Sequence, residues 1–168
     1  MFRLNKLLTE KKNIKPPHDG RDKRFIKMEE SEKENLFITF KGVIESIIFD
    51  KRRNPKNTKT LDNFRARLNI GLQIEEDYYL WINLIAENGN YALKKGKLEE
   101  YDLELMATPE DLMYFSNGEN STLNMMLKKN KFGTKKLRYD KSSTGKRNFG
   151  LLLKLPKILV LDEIKPPK

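Results

Sequence analysis

The chain has 168 residues, 38% hydrophobic and 35% charged, with a formal charge of +10. That size suits one domain with an appendage, and that balance points to an anionic partner, either nucleic acid or an anionic membrane surface. With no Cys and a single His, disulfides, thiol catalysis, cysteine zinc sites and multi-His metal centres are excluded.

No apolar run approaches the ~20 residues that span a bilayer, and "MFRLNKLL" lacks the apolar core of a signal peptide; a soluble, cytoplasmic protein is expected. Residues 1–35 are rich in Lys, Glu, Pro and Asp and predict a flexible charged arm, with a short helix at Phe2–Lys11 and His18 in a solvated loop. "LFITFKGVIESIIF", Leu36 to Phe49, alternates through Leu36, Ile38 and Phe40 and then changes phase at Gly42. This predicts a long strand bent or bulged at the glycine. "DKRRNPKNTKT" follows as a basic loop broken at Asn54-Pro55.

"FRARLNIGLQIEEDYYLWINL" carries the clearest pattern. Phe64, Ala66, Leu68, Ile70, Leu72 and Ile74 alternate with polar residues, and Leu80, Ile82 and Leu84 do so after Glu75-Glu76-Asp77. Two half-buried strands around an acidic turn are predicted. "ENGN" at Glu87–Asn90 is a turn signal, and Tyr91 to Met106 reads as a short strand or an irregular excursion. Thr108 as N-cap, Pro109 at the first helical position and Asp111 three residues after the cap predict a short helix stopped by Asn117-Gly118. A second helix starts at Ser121. "KKLRYD" and "NFGLLLKLPKILVLDEI" predict two last strands, with a bend or edge at Pro156, before a disordered tail at 165–168.

A long bent strand, a two-strand meander, a helical connection and two further strands make a mainly β chain. In that order it resembles the OB-fold single-stranded DNA-binding proteins, particularly the compact ones of phages and mobile elements. The resemblance implies a five-stranded Greek-key OB-fold barrel over residues 36–164, with its helical connection between strands 3 and 4. It also implies single-stranded DNA, or RNA, as ligand, replication proteins as further partners, and a role in replication, recombination or repair.

The residues themselves suggest how such a ligand would bind. In a hairpin, Arg65, Arg67, Asn69, Tyr79, Trp81 and Asn83 share the face opposite the aliphatic side, and Phe37 and Lys41 extend it. Arg52, Arg53, Lys56 and Lys59 form one basic rim and Lys141, Lys146 and Arg147 the other, with Lys135, Lys136 and Arg138 leading into the second. Bases would stack on the rings while the cations neutralise phosphates. Asn69 and Asn83 read as polar surface residues.

No cofactor site is read, "STGKR" fails the phosphate-loop pattern, and a non-enzymatic protein is expected. Two alternatives stand beside this reading. One is a module that binds an acidic host or replication protein. The other is a metal-dependent nuclease built on Asp162, Glu163, Lys165 and Asp140.

Overall fold

Helical periodicity, rather than alternation, organises the first ordered segment. A computed structural model describes residues 28–163, and the chain divides into two compact units, Met1–Glu34 and Asn35–Lys168. Helix α1 runs from Glu30 to Arg52, where a bent strand is expected. Phe37, Phe40, Ile44, Ile48 and Lys51 recur at intervals of three and four, which places them on one helical face. Ile44, Ile47, Ile48 and Lys51 are buried along it. Ile38, which completed the apparent alternation, is exposed. Glu30 and Glu32 in the first turn and Lys51 and Arg52 in the last suit the helix dipole. Most of the expected arm, including Phe2–Lys11 and His18, lies outside the described residues, as do Lys165 and the tail.

The expected basic loop is also largely ordered. A 3₁₀ turn at Pro55–Asn57 follows Asn54, whose side chain accepts from the Lys56 amide, and helix α2 covers Thr58–Asn63. The predicted hairpin then forms as strands β1 (Ala66–Glu75) and β2 (Tyr78–Glu87). They pair antiparallel with Ile70 opposite Ile82 and a bulge between Gln73 and Glu75. Asn88 and Gly89 turn the chain with φ of 51° and 76°, the left-handed pair that a tight two-residue hairpin requires. The ambiguous segment after it holds two strands, β3 (Asn90–Lys95) and β4 (Leu103–Ala107).

The sheet corrects the barrel. Its order is β3-β2-β1-β4-β5, with β4 parallel to β1 and a short β5 (Arg138–Asp140) antiparallel to β4. β3 and β5 are separate edges, so the sheet is open and the OB-fold is excluded. The helices predicted after Thr108 do form, as α3 (Pro109–Ser116) and α4 (Thr122–Leu127). They follow the fourth strand instead of the third. The predicted last strand is instead α5 (Phe149–Lys154) and α6 (Pro156–Leu159). Pro156 opens a helix there, the position where its fixed φ and missing N–H cost nothing.

All helices of the second unit lie on one face of the sheet. Ala66, Leu68, Ile70 and Leu72 of β1, Ile82 and Leu84 of β2, and Leu103, Leu105 and Ala107 of β4 share a core with Ile44, Leu61, Leu112, Phe115, Met125, Leu152, Leu155 and Ile158. The opposite face is crossed by the link from β3 to β4, because β2 and β1 lie between those two strands. Among the described residues no helix is long and apolar enough to cross a membrane.

Candidate functional site

The space between sheet and helices is where this architecture leaves room. An enclosed cavity of about 20 Å³ lies there, enough for about one water-sized sphere. Ile70 and Leu105 form its sheet wall and Phe40 and Ile44 line it from α1. Leu112, Phe115 and Met125 come from α3 and α4, and Leu152, Leu155 and Leu159 from the C-terminal helices. Ser116 is the one polar side chain among its lining residues. An apolar interior void of this kind stays dry and accepts apolar atoms.

One wall of the cavity is a strap. Residues 148–163 cross the helical layer as two short helices and an extended end, with Leu152, Leu155, Ile158 and Leu159 turned inward. Polar ties fasten it at both ends. Asn148 donates to the Asp102 carbonyl at 2.5 Å, and the Leu161 amide donates to the Ser116 carbonyl at 2.8 Å. Beyond that, Asp162 accepts from buried Lys51 at 2.9 Å and from Asn57 at 2.7 Å. The Lys51 hydrogen bond holds the Asp162 carboxyl below the usual carboxylate range, against a smaller opposing effect of burial. Asp162 is thus engaged in a latch, and among the described residues no group of three acidic or His side chains could hold a metal ion. The nuclease alternative loses its ligand set.

Open grooves flank the strap. One of 410 Å³ runs between α2 and α5–α6, lined by Lys59, Arg65, Lys154 and Lys157 above Phe64 and Leu151. Another, of 1160 Å³, opens at the start of β1. Arg65, Arg67, Lys146 and Lys154 alternate there with Glu87, Glu99, Glu100 and Asp102, so it has no net charge with which to select a ligand.

The sheet face expected to receive bases is covered. Asn69 is fully buried and exchanges two hydrogen bonds with the Leu98 backbone, at 3.0 and 2.7 Å. Asn83 donates to the Gly96 carbonyl at 2.9 Å. These two amides, read as surface residues, are the anchors of the crossing loop. Lys97 of that loop sits 4.2 Å from the centre of the Trp81 ring, and the six-membered ring of the indole lies against Gly71. Tyr79 packs 5.9 Å from Trp81 and is also hydrogen-bonded by Arg138. The indole is half-buried among Lys97, Gly71 and Tyr79 rather than standing open on the sheet.

The predicted cations are dispersed. Phe37 and Lys41 are on α1, where Lys41 pairs with Glu45 at 2.7 Å. Arg52 pairs with Asp62 and bonds the Gly89 carbonyl, at the opposite end of β2 from Tyr79 and Trp81. Arg53 and Lys56 are exposed beside it. Lys136 is engaged by Asp111 at 3.0 Å and Lys135 by the Leu127 carbonyl. Lys141 and Arg147 are exposed near Lys146. Among the described residues the structure does bring together Lys59 and Arg65 in the smaller groove, Arg65, Arg67 and Lys146 in the larger, and Tyr79, Trp81 and Arg138 on the sheet. Lys154 and Lys157, which also line the smaller groove, stand in a segment whose sequence reads as a strand.

No family model and no curated protein matches the chain. Solved structures do. The UbiJ-SCP2 ubiquinone synthesis protein superposes with a TM-score of 0.53 at 9% identity, over 76% of this chain and 95% of that one. The chain has an SCP2-like fold. A sterol carrier protein domain 2 from Helicoverpa armigera also matches, at TM-score 0.49 and 12% identity over 72% of this chain and 89% of that one. The OB-fold resemblance is therefore overturned. With it go single-stranded DNA or RNA and replication proteins as partners, the acidic-partner module, and the role in replication, recombination or repair.

Proposed function

We propose that this protein binds one lipid-type molecule between its sheet and its helical layer, as a carrier rather than an enzyme. The observation that carries the reading is the enclosed cavity, whose walls are almost wholly aliphatic and aromatic. Ligand sites have this character, apolar walls with few polar groups. The fold shared with a ubiquinone synthesis protein supports it as an analogy of architecture, since function resides in the site. The cavity holds about one water-sized sphere, so it must widen before a chain molecule fits. A chain molecule enters when the strap lifts, and burial of its methylenes, about 0.8 kcal/mol each, offsets the cost of opening.

Titration with dansyl-undecanol tests this. Dansyl emission should shift to the blue, saturate near one probe per chain and reverse on adding 1-dodecanol. Emission that rises without saturating, or that dodecanol leaves unchanged, would remove the carrier reading.

A further inference from the structure

The smaller groove differs from the larger in its charge, although Arg65 and Lys154 line both. Lys59 comes from α2, Arg65 from the entry to β1, and Lys154 and Lys157 from the strap. No acidic residue lines it. None of the four cations is ion-paired within the described residues; Arg65 bonds only the neutral Asn88 side chain, at 3.0 Å. Several cations elsewhere are answered: Lys41 by Glu45, Lys51 by Asp162, Lys131 by Glu110 and Lys136 by Asp111. Four like charges around one groove repel one another, and an anion seated among them relieves that repulsion. The floor is apolar, with Phe64 buried and stacked on Tyr91 and Leu151 half-buried.

Position gives the groove its meaning. Leu151 and Lys154 alternate along α5 and its C-cap with Leu152 and Leu155, which line the cavity. Groove and cavity are thus the two sides of one short helix. We infer that the groove formed by Lys59, Arg65, Lys154 and Lys157 is a headgroup site, holding the phosphate or carboxylate of a single-chain amphiphile whose tail lies in the cavity. This rests on the carrier reading and adds to it the chemical class of the ligand. The cations hold the head while the tail passes beneath α5.

The test compares dansyl-undecanoic acid with dansyl-undecanol on the full chain at low salt. Two or three exposed ion pairs correspond to about a tenfold preference for the acid, and rising salt should shrink it. In K59Q/K154Q/K157Q the acid-to-alcohol ratio should fall close to one. The charge-matched control K94Q/K128Q/K129Q should keep the preference. An acid preference that survives the groove variant, or that the control abolishes equally, overturns the headgroup site. Acid and alcohol bound alike by the unmodified chain would also overturn it and leave the carrier reading standing; neither probe binding removes both. Inorganic phosphate, lacking a tail, should compete only in large excess over the acid. Phosphate that displaces the acid at matched concentration would assign the groove to a free anion instead.

Discussion

Replacing Leu155 by Ala probes the wall between strap and sheet. Leu155 is 2% exposed and lines the cavity. The substitution removes roughly three methylene equivalents, about 2.4 kcal/mol of transfer free energy. A cavity term is added because the surroundings relax only in part. Here relaxation is restricted, since Leu161 is tied to Ser116 and Asp162 to Lys51. The total should reach about 3–4 kcal/mol, within the range of buried Leu→Ala changes. Urea unfolding followed by circular dichroism measures it, with Leu153→Ala as control; Leu153 is 51% exposed, and its loss should stay within about 0.5 kcal/mol. Dodecanol at a hundredfold excess over its Kd should return about 2.7 kcal/mol to L155A, because only the folded chain binds it. A loss below about 1 kcal/mol would refute the packing described for the strap. The full loss with no recovery in dodecanol would refute the link between that packing and ligand binding.

Three further outcomes are expected. The latch carboxyl of Asp162 has a folded pKa held below its unfolded value, so its contribution is present above pH ~4 and is lost as pH falls through the folded value. Asp162→Asn should lower stability at neutral pH and flatten the acid limb of the unfolding profile, and an unchanged acid limb would contradict the latch. In Gly71→Ala the added Cβ would stand 2.8 Å from Trp81 Cη2, costing about 1–3 kcal/mol. Emission of this one Trp should move to the red, and unaltered emission would mean the indole does not lie on Gly71. Thr108 caps α3, its hydroxyl accepting from the Asp111 amide at 3.1 Å and donating to the Asp111 carboxylate at 2.9 Å. Thr108→Ala should cost about 1–2 kcal/mol in thermal unfolding, and a neutral result would remove the cap.

What could be read in advance divides along a physical line. The hairpin of β1 and β2, the turn at Asn88–Gly89 and the cap at Thr108 are set by neighbours within a few residues, and all three formed as the pattern predicted. Leu36–Phe49 departs from its strand pattern because Leu36, Ile38 and Phe40 satisfy a period of two, while the decisive recurrence runs further, through Phe40, Ile44, Ile48 and Lys51. Lys51 hides the helical signal further, as a cation buried by its bond to Asp162. "LLLKLPKILVL" is apolar enough to suit either a buried strand or a packed helix, and period alone does not separate the two. The covering of Trp81 depends on β3 and β4 lying on opposite sides of β2 and β1. That is a fact of topology, invisible in local pattern, and it turned Asn69 and Asn83 from surface amides into loop anchors.

The cavity is the claim on which the function depends, and isotope-filtered NMR reads it directly. With 1-dodecanol bound to methyl-labelled protein, intermolecular Overhauser contacts should appear at the methyls of Ile44, Ile70, Leu105 and Leu152, which face the void from α1, β1, β4 and α5. Contacts confined to the opposite sheet face around Tyr79 and Trp81, or none at the four cavity methyls under saturating alcohol, would contradict the account.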